Sequence, residues 1–126
     1  MARPAVLTVA ETIAKSFLRA AETRVDAGRA TLRGTEANTF TNVVAAYMNV
    51  IRDEAITSLN QQNVRVLKVN LRASRDRFQV GDLTRTDVAQ SEARLALARA
   101  QLQQAQAQLI SSRENYIQIV GTPPVG

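Results

Sequence analysis

Apolar residues recur every seven positions along most of this chain, in two runs that mirror each other about one short turn. The turn is Phe78-Gln79-Val80-Gly81-Asp82-Leu83-Thr84-Arg85-Thr86-Asp87-Val88. Counting back from it in sevens gives Phe78, Leu71, Val64, Thr57, Val50 and Val43; counting forward gives Val88, Leu95, Leu102, Leu109 and Tyr116. Only Thr57 is polar. A sustained seven-residue repeat marks helices packed as a coiled coil. Folding the chain at the turn sets Phe78 against Val88, Leu71 against Leu95, Val64 against Leu102, Thr57 against Leu109 and Val50 against Tyr116. The pattern predicts an all-α fold: a long antiparallel coiled-coil hairpin with helices over about 8–79 and 85–120, residues 1–126 forming one hairpin.

Before the repeat, Val9, Ile13, Phe17, Ala21, Val25 and Leu32 form an apolar stripe at helical spacings. Gly34-Thr35-Glu36 offers a helix stop and a new N-cap, so a break near Gly34 is one option. An interior Gly costs a helix only about 1 kcal/mol, however, and the apolar pattern resumes at Phe40, which favours one continuous helix. At the turn, Gly81 can take the left-handed conformation that ends a helix. Thr84 and Asp87 have capping-box spacing for the second helix. That helix carries a row of small residues, Ser91, Ala98, Ala105 and Ser112, which lets a neighbouring helix approach closely. Gly121-Thr122-Pro123-Pro124 ends it.

The inventory excludes several chemistries. Among 126 residues there is no Cys and no His, which removes thiol catalysis, disulfides and the commonest zinc sites. Glu92 and Glu114 are far apart on the second helix, and nothing pairs a nucleophile with a base, so no catalytic residue, metal site or cofactor is expected. No run approaches the ~18 apolar residues that span a bilayer, and Met1-Ala2-Arg3-Pro4 does not read as a signal peptide. As written, the chain is expected to be soluble. The net charge of +5 is concentrated in Arg65, Lys68, Arg72 and Arg75, which share one helix face. Such a stripe is ordinarily a solvated face. A phosphate backbone could follow it, but no aromatic side chains interleave it for base stacking.

Three stretches carry a family resemblance. Ala46-Tyr47-Met48-Asn49-Val50-Ile51-Arg52-Asp53, the Arg77–Val88 turn, and Glu92-Ala93-Arg94-Leu95 with Tyr116 ahead of Val120-Gly121 together resemble the TolC-like outer-membrane efflux proteins. The resemblance runs from about Val25 to Pro124. It implies one periplasmic helical hairpin from the first half of a trimeric tunnel, the whole protein lying in the outer membrane and periplasm. It implies export, including type I secretion, with an inner-membrane transporter and a periplasmic adaptor (membrane fusion) protein as partners. By the same resemblance, Val80, Gly81 and Leu83 are the adaptor-docking tip, although Asp82 stands where some members carry the leucine. Thr86 and Asp87 match the family's closed-gate network. Asp87 has two local alternatives: closing the capping box, or pairing with Arg77.

The leading function is therefore a passive tunnel-wall element with a recognition tip; the alternative is a small basic helical nucleic-acid-binding protein, and an enzyme is the weakest option. The first predicted helix would be ~108 Å long and the second ~55 Å, at 1.5 Å per residue. The early apolar stripe thus has no partner within the hairpin. Self-association through it is expected.

Overall fold

A computed structural model describes residues 3–124, and they form two helices: α1, Arg3–Gln79, and α2, Arg85–Val120. No strand occurs among the described residues. The all-α hairpin holds. Helix α1 begins at Arg3 rather than near Thr8, because Pro4 falls in the first turn, where its missing N–H would have had no partner anyway. Met1 and Ala2, half of the stretch judged not to be a signal peptide, lie outside the described residues. The chain falls into two units, one ending at Thr41 and one beginning at Asn42.

The first unit is helical throughout its described length, and the option of a break at Gly34 is not taken. Every side chain from Ala5 to Thr41 is exposed. The expected stripe is among them: Val9 is 58% exposed, Ile13 50%, Phe17 72%, Val25 53% and Leu32 57%. Threonine is a middling helix former because its hydroxyl competes for backbone partners. Here the competition stays inside the helix. Thr12, Thr23, Thr31, Thr35 and Thr41 each donate to the carbonyl four residues earlier, at 2.7–3.0 Å.

The second unit contains the hairpin. Its core is a cluster of Val64, Leu71, Leu95 and Ala98, against which Leu67, Val88 and Leu102 pack. Val64, Leu71, Val88, Leu95 and Leu102 are the residues that the mirrored sevens bring together; Ala98, from the small row, and Leu67 join them. Nearer the turn, Ser74 and Ser91 share a hydrogen bond of 3.2 Å. At the far end the rings of Tyr47 and Tyr116 meet with centroids 6.1 Å apart. Of the small row on α2, Ala98, Ala105 and Ser112 are buried. Phe78 differs from expectation. It remains 39% exposed while its facing residue Val88 packs on the cluster, since no further layer lies beyond the last turn of α1 to cover it.

The turn is closed almost wholly by backbone. Gly81 has φ +85°, its N–H donates to the Phe78 carbonyl at 3.1 Å, and the Asp82 N–H donates to the Arg77 carbonyl at 2.9 Å. This double bond pattern around a left-handed Gly is the Schellman cap. Helix α2 then starts on Thr84, whose hydroxyl accepts from the Asp87 N–H, while the Asp87 carboxylate accepts from the Thr84 N–H at 3.0 Å. At the other end Gly121, φ +81°, caps α2.

A Cβ at Gly81 would meet nothing within 4 Å, so only its backbone conformation resists substitution. Gly81→Val should therefore cost about 1–2 kcal/mol. Gly34→Ala, in open space within a regular helix, should be neutral or stabilise by up to about 1 kcal/mol. Leu95→Ala in the core should cost about 2–5 kcal/mol. Thermal unfolding followed by circular dichroism ranks the three; a destabilising Gly34→Ala would contradict the uninterrupted helix.

Candidate functional site

Three groups of residues could carry function: the tip of the hairpin, the basic stripe, and a polar layer inside the seam. At the tip, Val80 is 75% exposed, Gly81 is exposed and Leu83 is half-buried. Together with exposed Asp82 they make a small protruding surface on a backbone fixed from both sides by the two caps. Thr86 is exposed. The Asp87 carboxylate is engaged locally, receiving the Thr84 hydroxyl at 2.6 Å as well as the Thr84 N–H. Of its two local alternatives, the capping box is the one formed. These Thr84 bonds hold the Asp87 carboxyl below the ordinary carboxylate value.

The basic stripe lies along the face of α1 that borders α2. Arg75 Nη2 pairs with Glu92 Oε1 at 2.7 Å, across the hairpin. Arg65, Lys68 and Arg72 are exposed and make no ion pair among the described residues. A second cross-hairpin pair, Arg113 Nη2 to Glu54 Oε1 at 2.7 Å, sits at the other end of the seam. Both pairs are about half exposed, so each contributes little stability, but both fit only one register.

The polar layer joins Thr57 of the counted row and Ser112 of the small row to Asp53, which lies in neither. Asp53 is 3% exposed, Thr57 7% and Ser112 8%. The Ser112 hydroxyl donates to the Asp53 carboxylate across the seam, and Arg52 Nε donates to the same carboxylate at 3.1 Å. Thr57, the one polar residue of the α1 repeat, satisfies its hydroxyl on the Asp53 carbonyl at 2.8 Å. A buried carboxylate is tolerated only when hydrogen-bonded, and no buried side-chain polar atom among the described residues lacks a partner. Ser112, then Arg52, hold the Asp53 carboxyl below its ordinary range, against the burial that pushes it up, with the Gln108 amide a lesser contributor. The layer's polar atoms satisfy one another inside the seam, which suits it to packing and register. A second row of sevens, Ala46, Asp53, Asn60, Leu67 and Ser74, would have found it.

Among the described residues no group of three or more Asp, Glu, His or Cys side chains is placed to hold a metal ion, and no helix is long and apolar enough to cross a membrane.

Comparison with known proteins gives a consistent answer. The outer membrane efflux protein family matches residues 14–122. A curated relative, the outer membrane efflux protein BepC of Brucella suis biovar 1 (strain 1330), is 44% identical over 110 residues, covering 87% of this chain and 24% of BepC. The chain therefore spans about a quarter of the length of that relative. No solved structure matches the chain.

The polar layer predicts an acid response. Asp53 and Asp87 both have folded-state values below the unfolded value near 3.8. Their contribution to stability is thus complete above that value and is lost as pH falls through the lower folded one. Unfolding midpoints should drop as pH is lowered through and below about 3.8, and drop less in Asp53→Asn. At neutral pH, Asp53→Ala should cost about 1–3 kcal/mol by leaving buried Ser112 unpaired. Asp53→Leu together with Ser112→Ala, which removes both partners, should cost less or stabilise. Equal acid sensitivity in wild type and Asp53→Asn would remove Asp53 from this account.

Proposed function

Because the chain belongs to the outer membrane efflux protein family, we propose that residues 42–120 are a wall segment of a periplasmic tunnel, with Val80, Gly81 and Leu83 as a tip that docks the helical hairpin of a periplasmic adaptor protein. The observation that carries the reading is the tip itself. Val80 projects at 75% exposure from a turn whose backbone is closed by its own hydrogen bonds, at the end of a hairpin whose seam buries Val64, Leu71, Leu95 and Ala98. A recognition surface needs such rigidity, because ordering a loose loop on binding subtracts from affinity.

On this reading the hairpin is one part of a larger, trimeric tunnel-forming protein of the outer membrane, which exports its cargo with an inner-membrane transporter. Thr86 and Asp87 stand one turn behind the tip, where a gate contact with another hairpin of the assembly would form. Asp87 would then exchange a capping bond for a partner outside this hairpin. The exposed stripe of the first unit, Val9 to Leu32, is covered by neighbouring helices in the assembly; in the chain alone it leads to self-association.

Two measurements check this. Titration with an adaptor hairpin should show binding that the paired change Val80→Asp and Leu83→Asp weakens about tenfold or more, as expected when a small apolar contact is replaced by buried charge. Unchanged affinity would sink the docking role. Sedimentation of the chain alone should show oligomers, dispersed by Phe17→Glu with Leu32→Glu. A compact wild-type monomer would refute self-association without touching the tip.

A further inference from the structure

The stripe on α1 is half of a two-sided feature. Lys68, Arg72 and Arg75 from α1 and Arg99 from α2 line one shallow cleft of about 440 Å³, with Leu71 and Leu95 also lining it. Those two leucines are core residues, 8% and 5% exposed, so the cleft opens onto the seam. Four cations face one lining carboxylate, Asp76. Arg75 is already neutralised by Glu92 at 2.7 Å. Lys68, Arg72 and Arg99 have no ion-pair partner among the described residues, and Arg65 extends the row away from the turn.

We propose that this cleft is a docking groove for an acidic amphipathic helix of a partner protein, a contact surface separate from the tip turn. Charge complementarity selects the occupant. Arg65, Lys68 and Arg72 recur at three- and four-residue intervals, so they rise about 5 Å per step along α1. A helix laid alongside presents carboxylates at the same period, with its small apolar residues toward Leu71 and Leu95. A nucleic acid fits less well, because no aromatic side chain lines the cleft to stack a base.

The test uses the full chain and a synthetic helical peptide bearing Glu at alternating three- and four-residue spacing on one face, with Ala and Leu beside it. A peptide of the same composition, scrambled so that the Glu side chains no longer share a face, serves as control. The ordered peptide should bind, and the triple change Lys68→Gln, Arg72→Gln, Arg99→Gln should weaken it about tenfold, the sum of three exposed charge contacts. All three residues border solvent, so circular dichroism should show the fold intact. Lys68→Glu, Arg72→Glu, Arg99→Glu should instead prefer a Lys-bearing peptide. Val80→Ala with Leu83→Ala should leave binding unchanged, so failure of the groove and failure of the tip are read separately. Equal binding of the scrambled peptide, tighter binding of duplex DNA, no binding, or equal loss in the tip variant would each overturn the proposal.

Discussion

A hairpin of two helices has one seam in which to hide anything, and that constraint governs the rest of this structure. Each side chain on the seam must be small enough to let the helices approach or shaped to fill the space opposite. The row Ala98, Ala105 and Ser112 on α2 does the first, and Leu71, Leu95 and Val64 do the second. An apolar seam of this kind is slippery, because a shift of one heptad would still match leucine to leucine. Asp53 removes that freedom. Its carboxylate finds the Ser112 hydroxyl in one register, and in any other it would be buried without that donor. The Arg75–Glu92 and Glu54–Arg113 pairs read the same register from outside. Specificity is thus supplied by polar groups that add little to stability, and stability by apolar groups that add little to specificity.

Much of this was legible in the sequence because it rests on periodicity and on local capping chemistry. The sevens through Leu71 and Leu95, the left-handed Gly81 and the Thr84–Asp87 box are each short-range statements, and each has the geometry that the residues require. Asp53 was legible in principle but was passed over, since counting one row of the α1 repeat leaves out the neighbouring row on which it lies. The start of α1 at Arg3 lies ahead of the point where the apolar stripe begins, at Val9, so periodicity gives no sign of the first turn. The clustering of Arg99 with Lys68 and Arg72 could not be read from either helix alone; it depends on how the two faces rotate about the seam.

The two units obey different rules. In the second, burial decides which residues matter. In the first, nothing described is buried, and the helix rests on local terms: i−4 threonine bonds and surface pairs such as Lys15–Glu11 at 2.8 Å. Isolated helices held by such terms are marginal in water, because most helical stability in proteins comes from packing an apolar face.

The turn has an evolutionary consequence. Its geometry depends on a glycine with no side chain, on main-chain hydrogen bonds, and on a Thr–Asp pair that points back into α2. The side chains of Val80, Asp82 and Leu83 form none of these bonds. Those three side chains can therefore change with little penalty to folding, so the surface at the tip is free to drift over generations while the scaffold behind it stands still.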